Sequence, residues 1–416
     1  LNPGIGESIL HSHSKGVLPP IGEAVNVKVD LMLCDDYTMS RAHEFFEKMN
    51  GNIPIDKDKI VVTCEHFTPP STIESASLQQ NVRTISRKWK LKHFYELGRS
   101  GTGPLVAISN GLVKPGMLIV GTSPIVTSLG GLGCYSTSIG PGDMAALWRK
   151  GEVHLILPKS VNIKISGKKQ SHIDGIDIAL FALKNLAEID EYHMLNFYGD
   201  GAMNLALDDR LELAFFMSQK GANTVLIPPS KDLFSLMNIK PESAIAHEID
   251  AQLNFDLSFD VAHVEPMVAV LVESEEIIPI KEAKAVEIDA IIIGGGLAGT
   301  LGNLRILDRM VSGKQVNSRL RMFVYPGSSE IFLRALEEGI IERLSKAGAM
   351  ICTPGRGAEG YGYRGIISKD EKVITNSALF QEGIFGLMES EIYFASTLTC
   401  AASAITGKIV HPLEVQ

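Results

Sequence analysis

The sequence predicts an α/β protein with parallel sheets. Three observations carry this: short β-branched runs, turn residues directly after them, and amphipathic stretches beyond the turns. Met117–Gly121 is such a run, closed by Thr122-Ser123-Pro124. Thr224–Ile227 enters Pro228-Pro229-Ser230, Ile288–Ile293 enters Gly294-Gly295-Gly296, and Leu320–Tyr325 enters Pro326-Gly327-Ser328. β-Branched side chains suit a pleated, buried surface, so each run reads as a strand. After Ser328, Phe332, Ala335, Leu336, Ile340 and Leu344 recur at helical spacing. Ser328 or Ser329 supplies the helix cap, and Gly348 lies past the end. Binding loops in such a fold belong at the carboxyl ends of the strands.

At 416 residues the chain exceeds one ordinary core. Polar, loop-like stretches near Gly167–Asp174 and between Glu273 and Glu287 suggest domains over 1–172, 173–285 and 286–416. A hydrophobic content of 45% with 21% charged residues describes a soluble globular chain, expected in the cytoplasm. The net charge of −9 argues against a nucleic-acid surface. No window offers the long apolar run of a membrane span. Leu1–Ser14 has no charged segment leading into an apolar one, so no secretory signal is expected. Cys34, Cys64, Cys134, Cys352 and Cys400 are scattered, without C-x-x-C, and read as reduced thiols rather than metal ligands. His11, His13, His154 and His172 also lack metal-ligand spacing and are expected at the surface.

Several short stretches share their order and spacing with isopropylmalate isomerase large subunits. They include Lys28-Val29-Asp30, Phe45-Phe46-Glu47-Lys48, Asp56–Val62 leading into Glu65-His66-Phe67-Thr68-Pro69, and Gly111–Gly116. Gly131-Leu132-Gly133, Gly140–Ala146, Asp208-Asp209-Arg210, Val324–Ser328, Pro354-Gly355 and Ala401–Ile405 continue the series. The chain therefore resembles the aconitase/isopropylmalate-isomerase superfamily along nearly its whole length. The resemblance implies a three-domain α/β/α large subunit around a cleft, without the swivelling fourth domain, which the isomerases carry as a separate small subunit. In that family a 4Fe–4S cluster on three cysteines activates a hydroxyl for elimination and re-addition of water.

The departures are concentrated in the site. Where the family has its first cluster cysteine this chain has Gly296, and the other two positions are Arg356 and Glu359. Glycine, arginine and glutamate do not hold an iron–sulfur cluster, so no cofactor and no metal are expected. The family's D-S-H-T loop is Ser123-Pro124-Ile125-Val126, its G-I-C-H-Q stretch is Ser100–Pro104, and its arginine-bearing stretch is Asn376-Ser377-Ala378-Leu379-Phe380. Phe215 and Gln219 replace an asparagine and a glutamate. His66 survives, preceded by Glu65 in place of aspartate.

His66 is the candidate general acid/base, tuned by Glu65, because an imidazole titrates near neutrality. The plainer reading is a turn hydrogen bond. Tyr361 is a second proton-transfer candidate, and Arg356, Glu359, Tyr363, Arg364, Ser123 and Ser377 are candidates for gripping substrate. Alternatively, Arg356 and Glu359 pair with each other in the emptied cluster seat. Gly294-x-Gly296-x-x-Gly299 matches a dinucleotide motif, but no acidic residue follows the next strand to bind a ribose.

These residues suggest a cluster-independent lyase or isomerase of a small organic acid or specialised-metabolite intermediate. A non-catalytic partner or regulatory subunit is the alternative, and a dinucleotide-dependent oxidoreductase the weakest one. The expected partners are an organic acid, a small swivel-domain subunit and further copies of the chain, with neither nucleic acid nor membrane.

Overall fold

The computed structural model describes residues 4–237, 254–271, 275–283, 285–358, 367–377, 385 and 390–415. It is a mixed α/β fold. Its first sheet runs His93–Tyr95, Ile60–Thr63, Leu31–Asp35, Leu118–Gly121, Tyr135–Ser138, with every pair parallel. The chain builds outward from Leu31–Asp35 to one side, then returns to build Leu118–Gly121 and Tyr135–Ser138 on the other. Strand order therefore reverses beside Leu31–Asp35, which opens a crevice at the carboxyl ends of these strands.

A second, wholly parallel sheet holds Thr224–Leu226, His193–Tyr198, Lys159–Ser166 and Leu257–Asp260. The third sheet runs Glu275–Pro279, Met267–Leu271, Glu391–Ala395, Lys372–Thr375, Ala290–Gly294, Arg321–Tyr325, Met350–Ile351. Only the pairs made by Met267–Leu271 are antiparallel in it. The second sheet thus begins at Lys159, ahead of residue 173, and the third at Met267, ahead of residue 286.

The four anticipated runs form strands at Leu118–Gly121, Thr224–Leu226, Ala290–Gly294 and Arg321–Tyr325. The amphipathic stretch after Ser328 differs. It folds as two helices, Ser329–Glu337 and Ile340–Lys346, because Gly339 turns left-handed at φ +71° between them. Ser328 caps the first helix, its hydroxyl accepting from the N–H of Ile331 at 3.2 Å. Among the described residues, no helix is long and apolar enough to cross a membrane.

Buried carboxylates join the second sheet's helices to the third. Asp174 accepts from the N–H of Thr397 at 2.9 Å, at the start of helix Thr397–Thr406. Asp177 accepts from Met267 N–H at 2.9 Å, and Glu212 from the Asn303 amide at 2.6 Å. Burial raises the pKa of Asp174 and of Asp208 to about 6 each.

Candidate functional site

The crevice at the reversal is lined by residues just past the ends of three strands. Leu31–Asp35 delivers Asp35 and Asp36, Ile60–Thr63 delivers Glu65 and His66, and Leu118–Gly121 delivers Ser123. Asp36 is fully buried and holds the turn that carries Glu65 and His66. Its Oδ1 accepts from the N–H groups of Glu65 (3.2 Å) and His66 (3.0 Å), and its Oδ2 from Phe67 N–H (3.2 Å) and the Gln79 amide (3.0 Å). His66 Nδ1 lies 3.1 Å from Asp36 Oδ1 and 3.9 Å from Asp35 Oδ1.

Burial alone would lower the pKa of His66. Asp35 and Asp36 more than reverse this and raise it to about 9, so the imidazole is a cation at neutral pH. Burial pushes Asp36 upward in turn, but the bonds from His66 and Gln79 bring it below the ordinary carboxylate range.

Glu65 is 1% exposed. Its Oε2 accepts from Gly103 N–H at 2.7 Å and from the Thr63 hydroxyl at 2.8 Å. Its Oε1 accepts no hydrogen bond among the described residues and stands 3.8 Å from Arg356 Nη1. Burial raises the pKa of Glu65 to about 7 against the opposing charges of Arg356 and His66. Arg356 is itself buried, and its Nη1 donates to the Ser123 hydroxyl at 3.4 Å. A cavity of about 10 Å³, lined among others by Asp35, Thr63, Glu65, Gly103 and Ser123, lies beside the pair. That is space for about one water molecule.

The glycine-rich loop after Ala290–Gly294 packs against these residues. Gly294, Gly295 and Gly296 have φ of +81°, +74° and +53°. A β-carbon on Gly295 would lie 2.5 Å from the Arg356 carbonyl oxygen, and one on Gly299 would lie 2.4 Å from Gly327 N. Helix Leu301–Val311 begins only after Thr300, whose hydroxyl accepts from Asn303 N–H at 3.1 Å. The motif therefore serves loop-on-loop packing, and its geometry does not supply the open helix N-terminus that a pyrophosphate needs.

The cluster of the family does not fit this seat. The loops of Gly296 and Arg356 still meet, but they bring a glycine and a paired guanidinium where thiolates are required. Cys34, Cys64, Cys134 and Cys400 are buried, and Cys352 is partly so. Among the described residues, Asp35, Glu65 and His66 are the trio whose potential ligating atoms all lie within 4.8 Å of one another. Asp36 already engages His66 Nδ1, and the Arg356 guanidinium stands against Glu65, so we do not assign them as metal ligands.

Of the candidates from the sequence, His66, Glu65, Arg356 and Ser123 come together. Arg356 faces Glu65; the pairing with Glu359 that the sequence suggested lies outside the described residues. Ser377 is buried just past Lys372–Thr375, its N–H donating to the Thr375 hydroxyl at 2.9 Å. Glu359, Tyr361, Tyr363 and Arg364 lie outside the described residues. His13, expected at the surface, is partly buried and bonds Asp30 at 2.7 Å. Asp35, Asp36 and Gln79 were not singled out by the sequence. Only the two aspartates had a signal, standing at the end of the apolar run Leu31–Cys34.

Comparison with known proteins places the chain in a family. The profile of the Aconitase family (aconitate hydratase) matches residues 7–285. The chain is 30% identical to the 3-isopropylmalate dehydratase large subunit of Heliobacterium modesticaldum over 99% of both chains. It is 31% identical to the protein of that name from Clostridium kluyveri, over 98% of both. Among solved structures, aconitase X of Thermococcus kodakaraensis (holo-form) shares the fold with a TM-score of 0.50 at 13% identity. That match covers 85% of this chain and 83% of the other. By profile and by full-length similarity, the chain is a member of the aconitase family.

Proposed function

We propose that this chain is a hydro-lyase or isomerase of a small hydroxy acid, in which His66 moves the proton and no iron–sulfur cluster takes part. The observation that carries the reading is His66 itself, a cationic imidazole fixed at the carboxyl edge of a parallel sheet. In that state it is a general acid, suited to protonate a departing hydroxyl while the Glu65 carboxylate takes the proton from the adjacent carbon. In the reverse direction neutral His66 takes a proton from the adding water while Glu65 returns its own to carbon. Arg356 is placed to receive a carboxylate or a developing oxyanion when substrate displaces its contact with Glu65. The relatives are named as large subunits. A smaller chain is accordingly the partner we expect to complete the cleft.

The test is turnover of 3-isopropylmalate and related hydroxy acids, followed by absorbance of the unsaturated product, with and without a small subunit. His66→Ala is expected to lower turnover by about 10²–10⁴-fold while leaving the fold intact. Undiminished turnover in that variant removes His66 from the reaction. One observation favours a second reading, a non-catalytic partner subunit: Arg356 is buried against Glu65 beside a cavity of only about 10 Å³. Absence of turnover with every acid and every small subunit tested would favour it.

A further inference from the structure

We propose that Asp36 is the positioning residue of His66, holding the imidazole by Nδ1 and leaving Nε2 as the atom that exchanges the proton. The argument starts from the donors around Asp36. Three backbone N–H groups, from Glu65, His66 and Phe67, and the Gln79 amide all point at its carboxylate. A buried carboxyl surrounded by donors is held ionised, and an ionised carboxylate can only accept. The 3.1 Å contact with His66 must then be Nδ1–H donating to Asp36 Oδ1, whether the ring is charged or neutral. Nε2 is left to gain and lose the proton.

The other groups facing His66 are engaged elsewhere. Asp35 Oδ1 lies 3.9 Å away and accepts from Tyr37 N–H at 3.0 Å, Thr38 N–H at 2.7 Å and the Thr38 hydroxyl at 2.8 Å. Glu65, next in the chain, is held by Gly103 and Thr63 and faces Arg356. The Tyr37 ring, 5.9 Å from the imidazole, packs beside it without fixing its tautomer. Asp36 also explains why Glu65 is free to pair with Arg356, since orienting the histidine is done from the neighbouring strand.

The proposal rests on His66 as the proton-transfer group, yet it is tested without any turnover. In ¹⁵N-histidine NMR spectra recorded from about pH 5 to 10, the wild-type protein should show a strongly deshielded Nδ1 proton on His66. It should also keep the Nδ1–H tautomer once the ring is neutral. In Asp36→Asn the pKa of His66 should fall by roughly 1–3 pH units, with the tautomer moving toward Nε2–H. A folded Asp36→Asn protein with the wild-type pKa and tautomer overturns the proposal. So does an Nε2–H tautomer in the wild type, a result that stands even where the variant fails to fold. Loss of turnover in His66→Ala combined with either of those spectra would sink the role of Asp36 alone. The expected spectra with full turnover in His66→Ala would leave Asp36 in place and remove the reaction assigned to the ring.

Discussion

Arg356 and Glu65 are joined twice. The Arg356 backbone N–H donates to the Glu65 carbonyl at 3.0 Å, and the guanidinium Nη1 stands 3.8 Å from Glu65 Oε1. One contact fixes the loop after the third sheet's strands against the first sheet, and the other neutralises a buried carboxylate.

Removing only the charge should therefore be costly. Arg356→Met leaves Glu65 buried without its counter-charge, so its carboxyl, already at about 7, takes up a proton more readily. The loss in unfolding free energy by chemical denaturation should then grow as pH rises above 7. The double variant Arg356→Met/Glu65→Gln should recover part of that loss, because the stranded charge goes with it. Strictly additive single effects would show that the pair is not coupled.

Stability should fall as pH rises from about 5 to 9, the reverse of an ordinary acid-sensitive protein. His66 contributes stability that is complete below its ordinary pKa of 6.5 and lost as pH climbs through about 9. Glu65 contributes in the same sense, complete below 4.5 and lost through about 7. Asp174 and Asp208 add to the same slope, complete below 3.8 and lost through about 6. Denaturant midpoints across this range give the measurement, and a flat or rising profile contradicts the assignment.

Gly295→Ala should destabilise the chain by about 2 kcal/mol or more, since φ is +74° and the new β-carbon meets the Arg356 carbonyl at 2.5 Å. Thermal unfolding reads this directly. An unchanged melting temperature would mean that the two loops part easily.

Protein purified without oxygen should contain iron and sulfide far below stoichiometric levels and show no cluster absorbance, because the seat presents a guanidinium to a cation. Iron and sulfide near four per chain would reverse this reading.

How much the sequence could reveal depended on how local the cause was. Short β-branched runs specify strands from within, so Leu118–Gly121 and Ala290–Gly294 were legible to within two residues. The helix break at Gly339 was not, because a glycine in an amphipathic stretch is as compatible with continuation as with a left-handed turn. His66 and Arg356 stood out through resemblance and departure from it. Asp36 did not, since an aspartate after an apolar run reads as ordinary turn punctuation until the turn after a neighbouring strand brings three donors onto it and a helix a fourth. Nothing in helix Ile73–Trp89 distinguishes Gln79 from its other polar residues before the fold places it.

The left-handed backbone at Gly296 also bears on history. A cysteine returned to that position would inherit a φ of +53°, one that side-chain-bearing residues rarely adopt, beside a neighbour packed within a β-carbon's reach of Arg356. Gly295, next to Gly296, is the residue whose missing β-carbon leaves the Arg356 carbonyl its room. Reversion by single steps would pass through a strained loop or a stranded charge.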